Sequence, residues 1–146
     1  LEFRRVLFRS VYNYRLRKEK KYMGISKIPQ SELIVMKVIW DNDKTLSSKE
    51  IINILKEKTG WKRTTTLTLL SKLVQKEFIS AEKIKLYTYY TPIISKKEYL
   101  ELETEYFFTN IHDRSLKSLI TALHDNDEIS EDDIEDLEKW IKERKE

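Results

Sequence analysis

Between Trp61 and Ile79 the chain reads WKRTTTLTLLSKLVQKEFI, where Lys62 and Arg63 stand directly before four threonines in five positions, Thr64, Thr65, Thr66 and Thr68. Threonine is a poor helix former, so this density needs a reason beyond solubility. Placed at about 100° per residue, Thr64, Thr65, Thr68, Ser71, Lys72 and Gln75 share one arc, while Leu69, Leu70, Leu73 and Val74 share the opposite one. The polar arc contains no acid. Short hydroxyls approach phosphates and base edges closely, and Lys62 with Arg63 sits at the positive end of the helix dipole. The chemistry on offer is recognition of a polyanion, with the helix entering a DNA major groove. The competing reading is an ordinary solvated helix face.

Covalent chemistry finds little support elsewhere. His112 and His124 fall in separate helical segments, there is no cysteine, and no HExxH spacing occurs, so the histidines read as surface or core residues and no metal is expected. The acids of SEDDIEDLEK (Ser130–Lys139) lack the glycine and the alternating ligands of a calcium loop and suit a helix N-terminus instead. Gly24 and Gly60 are the only glycines, which excludes a glycine-rich phosphate loop. The expectation is a protein that is not an enzyme and needs no cofactor. The lack of cysteine suits a reducing cytoplasm, and no apolar run approaches the ~18 residues of a membrane span, so direct membrane insertion is not expected.

The elements that must position the threonine helix are well punctuated. Pro29 and Ser31 open a helix from about Glu32 to Trp40 that is apolar on nearly all sides and therefore central to a core. Asp41–Thr45 is a polar loop. Ser47 and Glu50 have capping-box spacing, and the next helix runs through Ile51, Ile52, Ile54 and Leu55 to Lys58, with Gly60 just past its end. The helix Thr64–Phe78 follows at once, which makes a helix-turn-helix. Residues Ser80–Pro92 then alternate as a short β-hairpin whose turn lies near Lys83–Leu86. A hairpin directly behind a recognition helix is a wing, and Lys83 and Lys85 near its tip would meet phosphates. Tyr87, Tyr89 and Tyr90 read as ordinary cross-strand packing.

The remainder is helical. Ser95 and Glu98 form a second capping box before Tyr99, Leu102, Tyr106 and Phe107; Asp113 or Ser115 can cap a helix with Leu116, Leu119, Ile120 and Leu123; Ser130 with Asp133 opens a last one bearing Ile134, Leu137, Trp140 and Ile141. So small a piece cannot bury three apolar stripes by itself, and pairing with a second copy is the economical solution. The predicted fold class is mainly α, a winged helix-turn-helix DNA-binding domain followed by a C-terminal helical dimerisation region.

Charge follows the same division. The formal net charge of +3 resolves into +6 over residues 1–22, +5 over 23–92 and −8 over 93–146, so the basic part suits a polyanion and the acidic part solvent, protein or its own copy. Residues 1–22 have no clean period, and their opening resembles translated linker sequence, with Met23 as a natural start. They are set apart as a non-native or disordered basic leader, the alternative being an arm that tracks a DNA backbone. The expected domains are thus 23–92 for DNA and 93–146 for dimerisation.

From about Ile28 to Lys145 the chain resembles the penicillinase-repressor (BlaI/MecI) family of winged-helix regulators. The carrying residues are SELIVMKVIW (Ser31–Trp40), SSKEII (Ser47–Ile52), TTTLTLLSKLVQKEFIS (Thr64–Ser80) and YTYYTP (Tyr87–Pro92). The family's Thr-Val-x-Thr becomes Thr65-Thr66-Leu67-Thr68, keeping both threonines. Its Lys-Gly before the wing becomes Lys76-Glu77, which implies a differently shaped helix end. The resemblance implies a homodimeric repressor on a double-stranded operator with an inverted repeat. It also implies release when a membrane sensor-protease signals and the repressor is cut early in the dimerisation region. The matching bond is Tyr106-Phe107, where family members often carry Asn-Phe; the same pair could equally be packed core of an uncut dimer. Copper-responsive relatives use C-terminal cysteines, and this chain has none. On this reading Thr65, Thr68 and Lys72 reach base edges, and Lys62, Arg63, Thr64, Ser71, Lys83 and Lys85 hold phosphates. The alternative function is a winged helix used as a protein-interaction module, since the fold alone does not prove DNA binding.

Overall fold

A computed structural model describes residues 27–42 and 44–145. The basic leader and Met23 lie outside the described residues. Helix α1 (Gln30–Trp40) begins at Pro29, whose φ of −58° and missing N–H fit a helix start. After strand β1 (Leu46–Ser47), helix α2 (Ser48–Thr59) is capped at one end by Ser47, whose Oγ accepts from the Glu50 amide at 3.2 Å. At the other end Gly60 takes a φ of 74°, the left-handed conformation that favours glycine. Helix α3 (Arg63–Gln75) follows after three residues, and strands β2 (Ile79–Ile84) and β3 (Tyr87–Pro92) form the hairpin.

Together these make a winged helix-turn-helix. The sheet is antiparallel in the order β1-β3-β2. Strand β1 departs from the sequence expectation of a loop running into a cap. Its two residues are too few to show a period-2 pattern, yet Leu46 pairs with Tyr90 and Ser47 with Tyr89, so Ser47 ends a strand and caps a helix at once. The core is formed by Val35 and Met36 of α1, Ile51 and Leu55 of α2, Leu70 and Leu73 of α3, with Leu46 and Ile79 from the sheet, all fully buried. Each comes from the apolar arc of its own element, which is why three short helices and three strands suffice.

Helix α3 stops three residues earlier than Phe78. Glu77 adopts a φ of 61°, its amide donates to the Val74 carbonyl at 3.0 Å, and the Phe78 amide donates to the Leu73 carbonyl at 3.0 Å. This is a Schellman closure, so the left-handed geometry is present with an acid in the position that glycine would occupy without strain.

The chain divides into two compact units, one reaching to Glu103 and one spanning Thr104–Glu146. Helix α4 (Lys96–Tyr106) opens with the expected capping box, the Glu98 amide donating to Ser95 Oγ at 3.1 Å. Tyr99 corrects the apolar stripe anticipated for this helix. It is buried in the first unit against Trp40 and Phe78, accepts from the Ile28 amide at 3.4 Å and donates to Glu103. Trp40 Nε1 donates to the Ile94 carbonyl at 2.9 Å in the same neighbourhood. A residue at heptad-like spacing is thus taken up by the winged-helix core instead.

The second unit is a thinner structure. A π-helical stretch (Phe107–Ile111) leads to helix α5 (Leu116–Asp125), followed by helix α6 (Glu131–Lys145). Ser115, not Asp113, caps α5, accepting from the Ser118 amide at 3.0 Å, because Asp113 and Arg114 both sit at positive φ (49° and 61°). Ser130 and Asp133 close the α6 box as expected; the Ser130 amide and hydroxyl hold the Asp133 carboxyl below the usual carboxylate range. Neither α5 nor α6 contains a buried residue. Among the described residues no helix is long and apolar enough to cross a membrane.

Candidate nucleic-acid interface

Lys62 occupies the N-cap of α3 in extended conformation and makes no side-chain cap bond, and the first turn holds no acid. That first turn therefore carries two adjacent cations at the positive end of the helix dipole and no acid of its own. Lys62, Arg63, Thr64, Thr65, Thr68, Ser71 and Lys72 are all exposed. Helix α3 and its N-cap thus carry seven of the nine expected contact residues, with Thr64, Thr65, Thr68, Ser71 and Lys72 on one open face and Leu69, Leu70 and Leu73 buried behind them. The sequence wheel had separated these two arcs correctly because an α-helix turns its residues through a fixed angle.

The hydroxyls on that face are not equivalent. Thr68 donates to the Thr64 carbonyl at 2.9 Å, which leaves the methyl group and the oxygen lone pairs of Thr68 on the open face. Thr66, the fourth threonine, is fully buried and its Oγ1 has no hydrogen-bond partner. It therefore belongs to the core and not to the open face.

The other two expected residues lie on the wing. Lys83 pairs in register with Thr88, and Lys85 is the first of the two residues joining β2 to β3, at a φ of 58°. Both are exposed. Tight hairpin turns ordinarily take glycine or asparagine at a position of positive φ. Of the three hairpin tyrosines, Tyr90 is buried and burial pushes its phenol pKa up, Tyr89 is partly buried, and Tyr87 stands half exposed. Cross-strand packing thus accounts for Tyr90 more fully than for Tyr87.

One pair was missed from the sequence. Lys76, at the C-cap of α3, reaches Glu32 in the first turn of α1 with Nζ 2.6 Å from Oε2. Glu32 is 1% exposed, and its Oε1 has no partner among the described residues. Each charge suits its helix terminus, the acid at the start of α1 and the cation at the end of α3. The available signal was the single acid inside the mostly apolar SELIVMKVIW. Among the described residues no cluster of His, Asp and Glu could hold a metal ion.

The model of the penicillinase repressor family matches residues 28–143, spanning the winged helix and the helices that follow it. The chain belongs to the penicillinase repressor family. It is 31% identical to the penicillinase repressor of Bacillus licheniformis over 124 residues, 83% of this chain and 96% of that protein. It is 27% identical to the methicillin resistance regulatory protein MecI of Staphylococcus aureus (strain N315) over 111 residues, 75% of this chain and 89% of that one. The solution structure of the DNA-binding domain of the repressor BlaI is similar over 51% of this chain and 89% of its own, with 32% identity and a TM-score of 0.47. In this family member the glutamate in the left-handed position after α3 keeps the chain reversal that sends β2 into the wing.

Tyr106 and Phe107 lie where α4 passes into the π-helical stretch, both about half exposed, and Phe107 packs edge-on against His112 at 4.7 Å between ring centroids. The bond between them is part of a continuous helical run.

Proposed function

We propose that this member of the penicillinase repressor family is a homodimeric transcriptional repressor, not an enzyme, that acts in the cytoplasm on double-stranded DNA with an inverted repeat. The observation that carries the reading is the open, acid-free face of α3 with Lys62 and Arg63 at its N-terminus. Thr65, Thr68 and Lys72 read base edges, and Lys62, Arg63, Thr64, Ser71, Lys83 and Lys85 hold phosphates. Residues 23–92 supply the DNA-binding part and 93–146 the dimerisation part, with α4 rooted in the winged-helix core through Tyr99. The relative from Bacillus licheniformis supports the assignment by its name as a repressor.

Binding to the promoter DNA of the chain's own operon, followed by gel shift across a salt series, tests the reading. With roughly six to ten phosphates contacted, affinity should fall by about 10³–10⁵ between 50 and 200 mM salt. A salt-independent interaction, or equal affinity for promoter and random DNA, would leave a protein-interaction module instead.

Pairing is supported by the apolar side chains that α5 and α6 leave exposed, among them Leu116, Leu123, Leu137, Trp140 and Ile141. Two copies place two recognition helices about 34–36 Å apart on successive turns of the duplex. Sedimentation of the intact chain as a dimer, and of a chain ending at Glu103 as a monomer with weakened operator binding, is the expected outcome. Proteolysis at Tyr106-Phe107 by a membrane sensor-protease would separate the pair. Following the chain by immunoblot after exposure to a cell-wall antibiotic tests this step, and a stable full-length band while the regulated genes are induced would eliminate it.

A further inference from the structure

The most exposed large apolar side chain of the described protein stands at the tip of the wing. Leu86 is 87% exposed, and Ile84 and Tyr87, which pair with each other to close the turn, are 48% and 47% exposed. A lone exposed leucine would call for no explanation. Here the tip also has a charge pattern. Lys83 and Lys85 flank Ile84 and precede Leu86, and from Lys83 to Thr88 there is no acid; the hairpin's acid, Glu82, is set back in register with Tyr89. Lys85 further holds a left-handed φ of 58° at the turn position where glycine would be free of strain.

We propose that the wing tip is a minor-groove wedge, in which Leu86 enters the minor groove of the duplex held by α3 while Lys83 and Lys85 grip the phosphates that border it. The inference rests on the reading of α3 as a DNA-recognition helix. Minor-groove binders insert Leu, Ile, Phe, Met or Pro between base steps and partly unstack them, and they need cations beside the wedge to hold the groove's rims. A narrow hairpin with Leu86 at its apex and Lys83 and Lys85 before it has both parts. The alternatives fit less well. A stable protein partner needs about 1,000 Å² or more of buried surface, far beyond three side chains on a two-residue turn. A second copy docked tip to tip would bring the lysines of the two wings together. The wedge also supplies a source of specificity that α3 lacks, because the cost of unstacking depends on the step and is least at flexible pyrimidine–purine steps.

The test uses the intact chain and a duplex it enriches from a randomised pool, with 2-aminopurine placed in turn at the adenines flanking the bases protected by α3. The parent protein should brighten the probe at one flanking step on each side. Leu86→Ala should abolish the brightening and weaken binding roughly ten- to a hundredfold, with an unchanged melting temperature because the side chain touches little in the free protein. Leu86→Met should retain both brightening and affinity. Absence of brightening with the parent, or equal affinity and brightening with Leu86→Ala, overturns the wedge while leaving the α3 reading intact. Failure to enrich any duplex overturns the α3 reading, and the wedge with it.

Discussion

The two units of this protein spend nearly the same kinds of apolar residue in opposite ways. In the winged helix, Met36, Ile51, Leu55, Leu70 and Leu73 are fully buried around one core, and even Tyr99 of the following helix is drawn into it. In the second unit, Leu116, Leu123, Leu137, Trp140 and Ile141 line up with helical spacing and stay exposed. Three helices crossed by a small sheet enclose an interior, whereas two short helices after a bend do not. Amphipathicity alone therefore does not tell where a stripe is buried; the number of elements available to cover it does.

The widest separation between the units should come from core truncation. Leu70→Ala is expected to cost about 2–5 kcal/mol through lost burial and the cavity left behind. Leu137→Ala, already partly exposed in the single chain, should cost less than about 1 kcal/mol of single-chain stability and act mainly on self-association. Urea unfolding at two protein concentrations distinguishes them, and equal costs independent of concentration would erase the contrast.

Ion pairs sharpen it within the first unit. Lys76→Met leaves the buried Glu32 carboxylate without its partner and should cost about 1–3 kcal/mol, the lower part of the range for broken buried pairs because Lys76 itself is partly exposed. Lys44→Met removes an exposed partner of Glu50 at 3.3 Å and should change stability by less than about 0.5 kcal/mol. Comparable losses in thermal melts would show that burial does not govern these pairs.

Two substitutions should raise stability. Thr66→Val removes a fully buried hydroxyl with no partner and should gain about 1 kcal/mol. Glu77→Gly relieves the left-handed φ of 61° by a similar amount, about 1 kcal/mol. Both variants should keep DNA binding, since neither side chain belongs to the open face of α3, so the melting temperature should rise at constant affinity.

The smallest expected effect is alkaline. Burial, reinforced by the hydrogen bond to Glu103, holds the Tyr99 phenol proton well above its ordinary range, and burial raises Tyr90 in the same direction. The folded state then keeps protons that the unfolded state releases, so this contribution is complete below pH about 10 and is lost as pH rises beyond it toward the folded value. Tyr99→Phe should flatten the decline in stability above pH 10 relative to the parent. An unchanged slope would place the alkaline sensitivity in other groups.

Much of the exposure pattern of the candidate interface was legible because it lies on one helix. The angle between successive residues put Thr64, Thr65, Thr68, Ser71 and Lys72 on an open face and Leu69, Leu70 and Leu73 behind them, and the three capping boxes at Ser47, Ser95 and Ser130 involve partners three residues apart. Those are local matters, and sequence alone determined them. What only the tertiary structure decided involves partners far apart along the chain. The two-residue strand β1 exists because Leu46 and Ser47 find Tyr90 and Tyr89; Lys76 becomes a staple because Glu32 is buried beside it, and Tyr99 leaves the helical stripe because Trp40 and Phe78 surround it. No local period carries such information, since the energy of each contact depends on elements whose proximity is fixed only when the whole core closes.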